Sequence, residues 1–127
     1  MKRFLYMGFL LGLAACGPAP DKIGKLDLVK WREDQSGCQN IRAGQINDFK
    51  AVQQTEIKGK SANEIGALLG VPDRQQLAER NQKYYIYLIG RGPHCTDRTN
   101  LADSPTVAIR FSAMGIATEV TYQTGMP

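Results

Sequence analysis

Apolar positions along this chain fall into runs with different spacings, and each spacing predicts a different element. Phe4 to Leu13 is a continuous apolar run, too short for the roughly 20 residues of a membrane-spanning helix. Leu26 to Trp31 alternates loosely, then gives way to the polar stretch Arg32 to Gly37; this segment fits neither period, and Trp31 is expected to pack on the domain. Between about Asn40 and Ile57, the residues Ile46, Phe49, Val52 and Ile57 recur on one helical face, with Lys50, Gln54 and Lys58 opposite. That spacing predicts an amphipathic helix ending before Gly59. A second helix is predicted over Ser61 to Leu69. Ser61 and Glu64 have the capping-box spacing, Ile65, Leu68 and Leu69 form its apolar stripe, and Gly70 and Pro72 stop it.

Beyond Pro72 the period changes from 3.6 to 2. Arg74 to Leu77 is a candidate strand, and Tyr84 to Ile89 is aromatic and β-branched, a strong strand signal. Alternation puts Tyr85, Tyr87 and Ile89 on one side and Tyr84, Ile86 and Leu88 on the other. Gly90 to Pro105 reads as a long loop, of a length that calls for a function or a tie. Thr106 to Phe111 is the next strand, with Val107, Ile109 and Phe111 on one face. Ser112 to Gly115 reads as a hairpin turn, and Ile116, Thr118, Val120 and Tyr122 share a face of the returning strand. The fold class is therefore α+β: two layers, with two helices packed on a three- to four-stranded antiparallel sheet.

The first residues read as an address. Met1-Lys2-Arg3 is a short positive start, the apolar run follows, and Ala14 and Ala15 are small, which is the layout of a secretory signal peptide over residues 1–15. Leu13-Ala14-Ala15-Cys16 matches the lipobox of bacterial lipoproteins, in which the cysteine is acylated and becomes the first residue. At about 0.8 kcal/mol per buried CH2, two or more acyl chains on Cys16 make a stable anchor. Residues 16–25, with Gly17 and two prolines, read as a lipidated tether, leaving 26–127 as a single domain. Gly17, rather than an aspartate, follows Cys16, which favours the periplasmic face of the outer membrane. Removing Lys2 and Arg3 with the signal lowers the formal charge of the chain from +4 to +2, so the charge argues against nucleic acid as a partner.

Cys38 and Cys95 remain once Cys16 is assigned to lipid. An even pair in an exported domain reads as a disulfide, whose closed loop of about 58 residues would contribute roughly 4 kcal/mol. His94, the one histidine, adjoins Cys95. A metal site of Cys38, His94 and Cys95 is the sharper alternative, but it lacks a fourth ligand and the paired C-x2–4-C spacing of structural zinc; a Cys–His catalytic pair is a third reading. The disulfide is preferred, with no metal and no cofactor assigned. A nucleophile motif and a phosphate-binding loop are missing from the sequence, so the chain reads as a non-catalytic protein rather than an enzyme, with no small-molecule substrate. Tyr84, Tyr87, Arg91 and Arg98 are the candidate contacts for a protein partner.

The run Gly59-Lys60-Ser61-Ala62-Asn63-Glu64-Ile65, continuing through Leu68-Leu69-Gly70-Val71-Pro72, then Tyr85-Ile86-Tyr87, Val107 to Phe111 and Gly115, resembles the SmpA/OmlA (BamE-like) small outer-membrane lipoproteins. The likeness covers roughly residues 58–122, with the lipobox in the matching place. It implies two helices on a three-stranded antiparallel sheet, and a role as an accessory in outer-membrane assembly or integrity. The segment 26–57, with Trp31 and Cys38, and the long Gly90–Pro105 loop depart from that pattern. The alternative function is an inhibitor or immunity-type module that binds an envelope enzyme or toxin.

Overall fold

The computed structural model describes residues 19–127; the signal peptide and the lipidation of Cys16 lie outside the described residues. The first elements of the described residues are a hairpin of two-residue strands, β1 (Lys22–Ile23) against β2 (Leu26–Asp27), followed at once by α1 (Leu28–Glu33), so Lys22 to Lys25 belong to the domain rather than to the tether expected over 16–25. Asp27 ends the strand and caps the helix, its carboxylate accepting from Lys30 N at 3.1 Å. The loosely alternating segment therefore holds both a strand and a helix, each too short to set a period.

The helix expected from about Asn40 to Ile57 is instead three pieces: α2 (Ile41–Gly44), α3 (Ile46–Val52) and a π-helical turn over Gln53–Ile57. Gln45 breaks the first junction, at φ −106° and ψ 7°. Its side-chain amide is engaged elsewhere, accepting from Asp27 N at 2.7 Å and donating to Asp27 O at 3.1 Å. The break lets one glutamine fasten the N-terminal hairpin to the helical layer. The predicted apolar face survives it, since Phe49, Val52 and Ile57 are all buried.

The next helix, α4 (Ala62–Leu69), has the predicted capping box. Ser61 Oγ accepts from Glu64 N at 3.1 Å, and Glu64 Oε1 accepts from Ser61 N at 2.8 Å. Hydrogen bonding from Ser61, its backbone amide first, holds the Glu64 carboxyl below its ordinary range. A depressed folded-state value gives stabilisation that is complete above the unfolded carboxylate range, about pH 4.3, and fades as pH falls through the folded value. Ser61→Ala should cost about 1 kcal/mol at neutral pH, read from urea unfolding; an unchanged midpoint would show that packing alone fixes this helix.

Four strands follow in a meander: β3 (Arg74–Leu77), β4 (Lys83–Leu88), β5 (Pro105–Phe111) and β6 (Ala117–Thr124), neighbours in that order and all antiparallel. The fold is α+β, with the helices layered on one face of this sheet. Trp31, Phe49, Ile57, Ile65 and Leu69 meet Tyr85, Tyr87, Val107, Ile109 and Phe111 in one core. Trp31 stacks on Phe49 with ring centroids 5.0 Å apart. Among the described residues, no helix is long and apolar enough to cross a membrane.

Strand β6 departs from simple alternation. Phe111 pairs with Ala117 but Arg110 with Glu119, so an irregularity at Thr118 shifts the register. Ala117 is buried while Ile116 and Thr118 are exposed, and Val120 and Tyr122 return to the core side. The four residues expected on one face are thus split two and two.

The opposite face of the sheet is also covered. Ile86, Leu88, Thr106 and Ala108 point away from the helices and are buried. The long loop and the C-terminal tail fold over them. Arg74 Nη2 donates to Arg98 O at 2.7 Å, Gln76 Nε2 to Pro127 O at 3.0 Å, and Thr106 Oγ1 to Gly125 O at 2.8 Å.

Candidate functional site: a disulfide and histidine cluster

The long loop is tied down by a Cys38–Cys95 disulfide, with Cα atoms 5.9 Å apart. Cys38 follows a helical turn over Gln35–Gly37, and Cys95 closes another over Pro93–Cys95. Two left-handed residues shape the first turn, Ser36 at φ 70° and Gly37 at φ 69°. Gly37 is needed for a second reason: a Cβ there would lie 2.5 Å from Leu88 O. Its absence lets the turn press on the end of β4.

His94 is the centre of the cluster, only 4% exposed. Its Nε2 lies 3.4 Å from each cystine sulfur and 2.6 Å from Ser36 O. A carbonyl oxygen can only accept, so Nε2 carries a hydrogen and donates to it. On the other side of the ring, Nδ1 is 2.6 Å from Ser104 Oγ. Both ring nitrogens are satisfied, which is what allows the imidazole to be buried. While the sulfurs are bonded to each other neither is a thiolate, so the Cys–His nucleophile reading has no nucleophile in this state.

Beneath the cluster lies a buried ionic network for which spacing gave no signal. Arg42, 1% exposed, pairs with Asp73 at 2.8 Å. Its Nε donates to Trp31 O at 2.8 Å and Nη1 to Leu88 O at 3.0 Å, while the guanidinium stands over the Trp31 and Tyr87 rings. Asp73 also accepts from Ser36 N at 2.9 Å and Leu88 N at 2.7 Å. Asp34, fully buried, accepts from the amides of Gln39, Ile41 and Arg42 and so caps α2 from seven residues upstream. Among the described residues, Trp31 Nε1 is the one buried side-chain polar atom without a partner; that indole is held by stacking.

The candidate contact residues separate. Tyr87 is fully buried, with its hydroxyl donating to Gly70 O at 2.8 Å, and burial pushes its phenol well above the ordinary tyrosine range. It is a core residue and cannot meet a partner. Alternation had placed it beside Tyr85 on the side that the helices cover. Tyr84 is half-buried on the opposite face, opposite Arg110 of β5. Arg91 is exposed, yet its Nε donates to Cys38 O at 2.9 Å and its backbone N to Asn40 Oδ1 at 3.0 Å, so it also fastens the loop. Arg98 is exposed on that loop. These three do not share one hydrogen-bonded cluster.

A separate groove of about 350 Å³ lies where the chain enters the domain, lined by Ala19, Pro20 and Ile23 on one side and Lys60, Glu64 and Leu68 on the other. Arg32 anchors the entering segment, donating to Pro20 O at 2.7 Å and Leu68 O at 2.9 Å. No family model, curated protein or solved structure matches this chain.

Proposed function

We propose that this protein is a lipid-anchored, non-catalytic binding module of the bacterial cell envelope, held through Cys16 at the periplasmic face of the outer membrane. In this reading it assists outer-membrane assembly or integrity, as its resemblance to the SmpA/OmlA (BamE-like) lipoproteins suggests. The observation that carries the reading is Met1 to Cys16: positive start, short apolar run, small residues, then cysteine. The Cys38–Cys95 bond supports an oxidising compartment. The short distance in sequence from Cys16 to Pro20, where Arg32 first fastens the chain, supports a module kept close to its membrane. Tyr84, Arg91 and Arg98, together with the outer edge of β3 and that of β6 beyond Ala117, where Gly59 and Lys60 already pair, are the surfaces offered to a protein partner in this reading; an open edge can accept an added strand.

Replacing the acylated residue tests the anchor. Cys16→Ser should move the protein from the membrane to the soluble fraction of a cell envelope preparation, and full retention on the membrane would reject it. Crosslinking of the unaltered protein in intact cells tests the partner. Barrel-assembly proteins in the crosslink support the assembly role, whereas a hydrolase or a toxin replaces it with the inhibitor reading.

A further inference from the structure

We propose that reduction of the Cys38–Cys95 bond converts the cluster into a site for a thiophilic divalent cation of the zinc type, with Cys38 Sγ, Cys95 Sγ and His94 Nε2 as ligands. The three donor atoms lie within 4.8 Å of one another. Tetrahedral zinc, with bonds of about 2.3 Å to sulfur and 2.0–2.1 Å to nitrogen, places nitrogen about 3.5 Å from each sulfur and the sulfurs about 3.8 Å apart. Both nitrogen–sulfur distances already stand at 3.4 Å. The sulfurs must separate, and Cys95, exposed at the surface, is free to turn.

The oxygens around the ring complete the site. Ser104 Oγ, 2.6 Å from Nδ1, can accept a hydrogen bond from an Nδ1–H when Nε2 turns its lone pair to a cation, so His94 changes tautomer without losing its partner. A metal-bound histidine is ordinarily fixed by such a bond on its other nitrogen. Ser36 O lies 2.6 Å from Nε2 and 3.6 Å from Cys38 Sγ, and after a small withdrawal it is the fourth donor. Because the two cysteines are 57 residues apart, no local spacing announces the set, and a backbone carbonyl leaves no trace in sequence.

The chemistry balances with a thiol reductant. Its two S–H groups lose two electrons and two protons and join as a disulfide; the Cys38–Cys95 bond breaks and two thiols form. Cation binding then expels both protons to solvent. Two thiolates neutralise the divalent charge, which suits a place where His94 is buried.

Cobalt(II) is the probe, used on the full chain carrying Cys16→Ser in detergent, so that Cys38 and Cys95 are the only cysteines. After reduction with a phosphine, one equivalent of Co2+ should produce thiolate-to-cobalt charge-transfer absorption that Zn2+ abolishes, while the oxidised protein stays silent. Ser104→Ala should weaken Co2+ binding by about 10–100-fold, and His94→Ala by more. Near-ultraviolet circular dichroism of Trp31 is recorded alongside. If reduction unfolds the chain and Co2+ restores the signal, the site is supported, since binding is then coupled to folding. A reduced chain that gives no cobalt band, folded or unfolded, overturns the proposal. So does unchanged affinity in His94→Ala, or equal uptake by the oxidised protein.

Discussion

Replacing Cys38 and Cys95 together by serine will lower the unfolding free energy by about 4 kcal/mol, and the melting temperature by on the order of 15–25 °C. The size of the effect follows from the span of the bond, which joins residues 57 apart. An unfolded chain freed from so large a ring gains more conformational entropy than one freed from a short one. The loss has a local side as well. The loop between β4 and β5, with the C-terminal tail, covers Ile86, Leu88, Thr106 and Ala108 on the outer face of the sheet. Without the bond that cover is held by His94 to Ser36 and Ser104, and by Arg91 to Cys38 and Asn40. Melting curves followed by circular dichroism decide the matter. A fall of only a few degrees would mean that these hydrogen bonds carry the loop and the disulfide is a late addition to a fold already closed. Adding a reductant to the double variant supplies the control, because it should change nothing further.

How much of this was legible in the sequence depends on the range of the interaction. Ser61 and Glu64 sit three residues apart and answer each other, so α4 could be read directly. The strands could be read from their period, but what covers each face could not: Ile86 and Leu88 are buried by a distant loop and the C-terminal tail rather than by the helices. Tyr87 is a different case: it lies on the face that the helices cover, and its hydroxyl is inside, against Gly70, although its polar tip suggested a contact residue like Tyr84. Residue type also misleads where one residue serves two elements. Gln45 looks like a polar position on a continuous helix, yet its amide serves Asp27 and the helix breaks. An irregularity in β6 flips a face without altering composition. In the candidate site, the cysteine pair was found by counting, whereas Ser36, Ser104, Asp34, Arg42 and Asp73 are brought together by tertiary folding and carried no signal.

The pair Arg42 and Asp73 shows what such a group does for the sheet, and a double-mutant cycle on it should give the other large effect. Strand β4 presents alternate backbone groups to β3, and Ile86 O receives the amide of Asp73 at 3.0 Å. The next position toward β3 is Leu88, and there the neighbouring strand has run out into Pro72, which has no N–H to give. Side chains take over: Asp73 Oδ2 accepts from Leu88 N, and Arg42 Nη1 donates to Leu88 O. The ion pair is thus a substitute rung for the sheet, and it also seats α2 and the turn that carries Ser36. Removing one partner leaves the other charge buried and unmatched, at about 3–5 kcal/mol. Arg42→Ala and Asp73→Ala should each show a loss of that order in chemical denaturation. The double variant should fall short of their sum by about 1–3 kcal/mol, because the second change no longer strands a charge. Strict additivity would mean that the two side chains act separately on Leu88, and that the charge between them contributes little to holding the edge of the sheet.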